Sequence, residues 1–319
     1  MTIIRDLDAL ERIRDAWWDL WRRDARATPF QSPAWLIPWQ RAFAPGPLHV
    51  VALWRNEQLA ALAPFYVETQ TQRLLPVGIS LSDNLDLLAE DHDAAQALVS
   101  HLLEDAPCAR VEIENLPMQA HARELTDIEG WTHREEPNEV CPFLPLGSTW
   151  DAHVPARKRR QWRRAVREAQ QHGDMRIEAI AGHPKDFLDH LARLHRARWE
   201  TRAQEGLLAD EAVQRFHRLA APELLRAGLA RFYLLSFAGQ VTGAYYGLAA
   251  KDRAYAYIGG FDPAFAHESP GTILMAHAMA QAQTEGARRF EFLRGGEDYK
   301  YAWGAQDEPV YRRIWERSA

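Results

Sequence analysis

The sequence predicts an α/β protein in which one layout is used twice. Three observations carry this. Runs with strand-like alternation are interleaved with stretches whose apolar residues fall at helical spacing. The order hairpin, third strand, helix, strand occurs between Leu48 and Pro117 and again between Phe232 and Gly295. The intervals from Gln58 to Gln240 and from Arg110 to Arg289 are nearly equal, as a tandem duplication requires. A length of 319 residues suits two domains, and the boundary is expected near the linker, giving units 1–148 and 149–319.

In the first unit, Leu7, Leu10, Ile13, Trp17, Leu20 and Trp21 predict an amphipathic helix over Leu7–Arg23. Ser32 and Pro33 read as the N-cap and first residue of a short helix through Trp35, Trp39 and Phe43. Leu48–Trp54 and Leu59–Val67 flank a short polar turn and form a β-hairpin. Leu74–Leu81 is a third apolar run, Asp93–Leu103 a helix, and Val111 and Ile113 alternate with Glu112 and Glu114 as in a strand. The stretch CPFLPLGSTWDAHVPA, with three prolines and a glycine, is the linker.

The second unit opens on a basic helix, RKRRQWRRAVREA. Trp162, Ala165, Val166 and Ala169 form its buried face, Arg157, Arg160, Arg164 and Arg167 line another, and Gly173 terminates it. The arginine stripe has two readings, a surface for phosphates or a solvated face paired with neighbouring acids. In the helix HLARLHRARWE, Leu188, Leu191 and Leu194 face the core. A hairpin follows (Phe232–Phe237 and Val241–Ala249), then a strand over Ala254–Gly260, a helix over Thr272–Thr284 and the strand ARRFEFLRG.

Composition excludes several function classes. Hydrophobic residues at 47% and charged residues at 26% are those of a folded globular chain. Lys+Arg total 38 against Asp+Glu 44, a net charge of -6, so the chain as a whole is not a basic nucleic-acid binder. Cys108 and Cys141 match no metal spacing and make no disulfide framework, which fits a reducing compartment. The first residues carry acids and arginines where a signal peptide needs an apolar core, and no run of about 18 apolar residues occurs. The expectation is a soluble, cytoplasmic protein. His183, His190 and His217 lack metal-ligand spacing, and no metal is expected.

Three places carry candidate chemistry. The segment LRGGEDYKYAWG sits at the carboxyl end of a strand, where ligands of α/β sheets bind. After the Gly295–Gly296 pair, Glu297, Asp298, Tyr299 and Lys300 offer acid, base and anion clamp. Ser269, Pro270, Gly271 and Thr272 open a helix with Ser269 as N-cap, and the amides of Gly271 and Thr272 form an anion site. The same four residues are also simply a good helix start. His195 and Arg198, at i and i+3, either bind substrate or decorate a surface.

Together these residues resemble a known family. YIGGFDP, the SPG helix start and FEFLRGGEDYKYAWG, with FQSPAWLIPWQRAF, LAPFYVE and LHRARW upstream, resemble the BioF2-like, CelD-type acetyltransferases of the GNAT superfamily. The resemblance runs from about Phe30 to Trp303 and extends to the Fem-type transferases, which also carry two GNAT-like units in tandem. It implies mixed, mostly antiparallel sheets flanked by helices and acyl transfer from acyl-coenzyme A, such as acetyl-CoA, to an amine or hydroxyl. It further implies a pantetheine arm beside the Ala254–Gly260 strand, oxyanion stabilisation by amides of Ile258, Gly259 and Gly260, and a pyrophosphate at Ser269–Thr272. Tyr299 would protonate the leaving thiolate, Glu297 or Asp298 would deprotonate the acceptor, and Lys300 would hold an anionic acceptor. The phosphate loop departs from the GNAT pattern, because Glu268 and Ile273 stand where an Arg or Gln and a small residue are usual. The first unit, with SDNLDLL in the matching region, is expected to be a degenerate, non-catalytic half that shapes the acceptor groove.

The expected function is thus acyl transfer to a small-molecule or saccharide acceptor, an amino sugar or polysaccharide precursor among them. Two alternatives stand beside it: an aminoacyl-tRNA-dependent Fem-type peptidyl transferase using the basic helix, and a non-catalytic accessory protein of exopolysaccharide synthesis.

Overall fold

The computed structural model describes residues 1–124, 128–201 and 205–318. The chain divides into two units, Met1–Val140 with Glu308–Ala319, and Cys141–Asp307. The expected division at 148/149 therefore differs in two ways: the linker residues 141–148 belong to the second unit, and the last twelve residues return to the first.

The first unit runs β1 (Thr2–Ile4), α1 (Leu7–Arg12), α2 (Arg14–Arg23), α3 (Pro33–Phe43), β2 (Leu48–Arg55), β3 (Gln58–Glu68), β4 (Arg73–Pro76), β5 (Leu88–Ala89), α4 (His92–Glu104), β6 (Arg110–Leu116) and β7 (Trp131–Val140). The second runs β8 (Phe143–Pro145), α5 (Ala156–Gln171), β9 (Met175–Ala179), α6 (Lys185–Glu200), α7 (Glu211–Arg226), β10 (Ala230–Phe237), β11 (Gln240–Ala250), β12 (Arg253–Phe261), α8 (Pro270–Thr284), β13 (Arg289–Glu291) and α9 (Asp298–Ala302), after which β14 (Pro309–Arg317) rejoins the first. Each unit is a mixed sheet flanked by helices. The first sheet has the order β1-β2-β3-β4-β6-β14-β7, with β5 on β3, and the second β8-β13-β12-β11-β10-β9.

The duplication is visible in detail. Both hairpins join strands of 8 and 11 residues. Both turn on two residues with positive φ, Asn56–Glu57 and Ala238–Gly239, a backbone whose twist matches that of paired strands. Both break register two residues before the first strand ends, at Leu53/Trp54 and at Leu235/Ser236.

Several expected elements take a different form. The Leu7–Arg23 helix is broken at Ile13. The third apolar run is a strand only over Arg73–Pro76, because Pro76 and then Gly78 at φ 98° turn the chain away. Ser32 does precede a helix, but its hydroxyl donates to the Pro29 carbonyl (2.7 Å) instead of capping the next turn. Strands β7 and β14 had no counterpart in the predicted layout. The sequence of β7, WTHREEPNEV, is polar with a central proline, and exposure along its length removes the alternation that marks a half-buried strand.

In the second unit, α8 packs on one face of β10, β11 and β12, and α6 crosses β11 and β12. The core beneath α8 is built from Tyr233, Leu235, Tyr245, Leu274, Met279 and Phe290, among others. Two irregularities open this sheet. The β11–β12 pairing shifts between Tyr246/Ile258 and Gly247/Ala256, so Tyr257 is an extra residue, a β-bulge. The parallel pair β12–β13 holds only from Arg253/Arg289 to Tyr255/Glu291, after which β12 continues to Phe261 without that neighbour. Past Tyr255, the edge of β12 turned away from β11 has no strand partner among the described residues.

Candidate active site

A cavity of about 280 Å³ fills the space that the parting strands leave. Its walls come from β12 (Ala256 to Phe261), from β11 (Ala244 and Tyr245), from the mouth of α8 (Ser269 to Thr272, Leu274 and Met275), and from Lys158, Arg198, Tyr299 and Trp303. All seven residues expected to bind the donor, Ile258, Gly259, Gly260, Ser269, Pro270, Gly271 and Thr272, line it, and Tyr299 and Arg198 share it with them.

The glycines of β12 have separate reasons to be there. A Cβ on Gly260 would lie 2.5 Å from the His195 backbone nitrogen, so the missing side chain lets α6 cross the strand at backbone distance. A Cβ on Gly259 would meet only the Ala244 carbonyl at 3.7 Å, which leaves the backbone of β12 open to a ligand there. At the mouth of α8, Ser269 differs from the expected cap: it sits in the left-handed region (φ 53°, ψ 57°) and its side chain makes no capping bond. Its carbonyl accepts the Thr272 N–H at 2.9 Å. That uses one of the two amides expected for anion binding. Gly271 keeps its N–H without a hydrogen-bond partner among the described residues.

The cavity's charged lining is positive. Arg198 donates to the Gly259 carbonyl (3.4 Å) and stands over the Phe261 ring at 5.3 Å. Lys158, on the basic helix, is 8% exposed. Its Nζ donates to Gln161 Oε1 (3.2 Å) and Thr272 Oγ1 (3.3 Å) and lies 4.5 Å from the centre of the Trp303 ring. Both hydrogen-bond acceptors are neutral, and burial pushes its ammonium pKa down. Lys158 was not among the expected site residues, although its spacing with Trp162, Ala165 and Ala169 (i, i+4, i+7, i+11) puts it on the inward face. The arginines Arg157, Arg160, Arg164 and Arg167 on the outer face are exposed, with Arg164 paired to Glu168.

Tyr299, on the single turn α9, is 39% exposed, yet burial of the remainder and the nearby Glu297 charge push its hydroxyl to about 12, so it is protonated at neutral pH. Behind it, Tyr245 is 5% exposed, stacks on Tyr233 and has its pKa raised by burial and by the neighbouring Tyr233 and Tyr299.

Five expectations are corrected. Lys300 does not face an acceptor: it is 2% exposed, and its Nζ donates to the carbonyls of Leu293, Arg294 and Gly295 and pairs with Glu297 Oε2 at 2.8 Å. It clips the glycine turn to α9. Glu297 is therefore engaged as that lysine's counter-ion, and neither it nor Asp298 lines the cavity. His195 is buried beside the cavity rather than in it, where it accepts from Trp199 Nε1 (2.9 Å). Burial and then Arg198 lower it to about 4, so it is neutral. Glu268 does not oppose an anion at the helix mouth, because it turns toward the end of α5, where His172 Nε2 donates to its Oε1 at 2.6 Å.

Among the described residues, no group of three or more His, Cys, Asp and Glu side chains is arranged to hold a metal ion, and no helix is long and apolar enough to cross a membrane.

Comparison with known proteins agrees with this geometry. Residues 156–301 match the model of the Acetyltransferase (GNAT) domain, and every cavity-lining residue except Trp303 falls within that span. No curated protein matches in sequence. Among solved structures, FemX has the same fold over 98% of this chain and 97% of its own, at 12% identity and a TM-score of 0.70. The L-PGS of Bacillus licheniformis covers 88% of this chain and 87% of its own, with 12% identity and a TM-score of 0.57. A tandem GNAT protein from the clavulanic acid biosynthesis pathway covers 100% and 98%, with 14% identity and a TM-score of 0.52. The chain thus has the tandem GNAT fold.

Proposed function

We propose that the second unit transfers an acyl group from acyl-coenzyme A to an amine or hydroxyl of a small-molecule or saccharide acceptor. The observation that carries this is a single cavity that joins an anion-binding end to a phenol. At one end are the Gly271 N–H, the positive end of the α8 dipole and the Lys158 ammonium, which has no carboxylate beside it among the described residues; a pyrophosphate supplies the missing negative charge. Between the ends runs the unpaired edge of β12, whose backbone groups suit the amides of a pantetheine arm as a strand partner would. From Phe261 back to Ala256 this edge spans roughly 17 Å at about 3.3 Å per residue.

At the other end the thioester meets Tyr299. Attack by the acceptor nitrogen or oxygen, whose proton passes to water, makes a tetrahedral oxyanion, which N–H groups of β12 around the bulge stabilise. Collapse breaks the carbon–sulfur bond, and the Tyr299 hydroxyl, protonated at neutral pH, gives its proton to the departing thiolate. Arg198, the second cation of the lining, orients the acceptor.

Thermal-shift measurement with acetyl-CoA, longer acyl-CoAs and free coenzyme A tests the reading, since a ligand bound to the native state raises its melting temperature. A rise with coenzyme A and its thioesters is expected. No shift with any of them would remove coenzyme A from the site.

A further inference from the structure

The hydroxyl of Tyr245 sits where β12 and β13 part. Its ring leans along β11 over Gly247, where a Cβ would come within 2.4 Å of Tyr245 Cε1 and 2.7 Å of Oη. Gly247 pairs with Ala256, one residue past the last β12–β13 pair and one before the Tyr257 bulge. The ring is therefore held by the Tyr233 stack (5.7 Å, 21°) and by the space that Gly247 leaves. Tyr245 lines the cavity, is 5% exposed, and its hydroxyl has no hydrogen-bond partner among the described residues. The residue is buried, yet its hydroxyl is not among the side-chain polar atoms shut off from solvent, so the hydroxyl opens onto the cavity. A polar group of this kind, aimed into a cavity, marks where a ligand's acceptor atom goes.

We propose that Tyr245 donates its hydroxyl hydrogen bond to the carbonyl oxygen of the bound thioester, and so adds a side-chain donor to the oxyanion site. This rests on the acyl-coenzyme A reading and extends it from the strand backbone to a second tyrosine with a role unlike that of Tyr299. Tyr299 gives up a proton to sulfur. Tyr245 keeps its proton and holds the oxygen, which suits a hydroxyl whose pKa burial raises far above neutrality.

The test compares two probes, acetyl-CoA and its thioether analogue S-ethyl-CoA, which lacks the carbonyl oxygen, by calorimetric binding to the full chain. In the wild type, acetyl-CoA should bind about fivefold tighter than S-ethyl-CoA, the worth of one neutral hydrogen bond. Tyr245→Phe, which keeps the ring and its packing, should erase that preference while S-ethyl-CoA binding stays the same. Gly247→Ala, which displaces the ring while the hydroxyl remains, should erase it as well. A preference that survives in Tyr245→Phe, or that is absent from the wild type, overturns the assignment of Tyr245 while leaving the coenzyme A site standing. Failure of both probes to bind the wild type overturns the coenzyme A reading itself.

Discussion

Replacing Lys158 by Met should move stability and ligand affinity in opposite directions. Lys158 is 8% exposed and its ammonium's hydrogen bonds go to a side-chain amide and a hydroxyl at 3.2 and 3.3 Å, with an indole ring at 4.5 Å. Among the described residues no carboxylate repays its desolvation. Met keeps the length and contact with Trp303 while removing the charge, so the melting temperature should hold or rise, by roughly 2–4 °C if about 1 kcal/mol is regained. Coenzyme A, by contrast, loses a charged hydrogen bond to a phosphate, worth about 1.5–3 kcal/mol, or roughly 10- to 100-fold in affinity. The pH dependence carries the same signature. Burial lowers the folded pKa below the ordinary 10.5, so the unfolded chain holds the proton more tightly. The cost of the buried charge is full below the lowered value and relieved as pH rises toward 10.5, a gain that the Met variant lacks. Calorimetric titration with free coenzyme A and thermal melts across pH measure both effects, with Arg160→Met on the exposed face of the same helix as control. Coenzyme A affinity within about twofold of wild type in Lys158→Met would refute the reasoning.

Further outcomes follow from the same geometry. Tyr299→Phe should lower turnover by about 100-fold, the lower end of what a positioned general acid contributes, with the coenzyme A thermal shift retained; turnover equal to wild type would release Tyr299 from the acid role. Gly260→Ala should destabilise by about 1–3 kcal/mol in urea unfolding, because the new Cβ meets the α6 backbone at 2.5 Å and backbone does not step aside. In the first unit, burial raises Asp86 to about 6, against the pull of His121 and of the N–H groups of His121 and Ala122. The folded state then binds that proton more tightly than the unfolded chain, so stability should fall as pH rises from about 4 to 6. Melts of Asp86→Asn should lack that slope.

The sequence made β10 to β13 of the second unit's sheet legible because apolar runs and turn chemistry agreed there, whereas β8 lay inside the segment read as linker and β9 was not predicted. The β10, β11 and β12 runs are mostly apolar, Ala238–Gly239 is a turn, and Pro270 marks a helix start, each a local signal that packing left intact. Side-chain roles were less legible, since a residue's type does not say which way it faces. Lys300 lies in a polar run but points inward to three carbonyls, and Glu297 follows it. Lys158 lay hidden among arginines, its inward direction coded only by its spacing from Trp162 and Ala165. His195 was identified as polar and helical, but the close crossing at Gly260 that buries it is a tertiary fact. Strand β14 was unreadable for another reason: its partners β6 and β7 lie far away in sequence, and no local pattern records such a pairing.

That last strand sets an order of assembly. Synthesis proceeds from the amino end, and a unit normally closes once its own segment has emerged from the ribosome. Here β14 occupies the slot between β6 and β7, so the sheet that contains β1 to β7 cannot be completed until residues 309–317 have been made. The unit that carries the cavity has all its strands by Glu291, while the older segment still waits with two open edges. A nascent chain halted before Pro309 would expose those edges to other chains, and a frameshift ahead of that strand would harm the half of the molecule that was translated first.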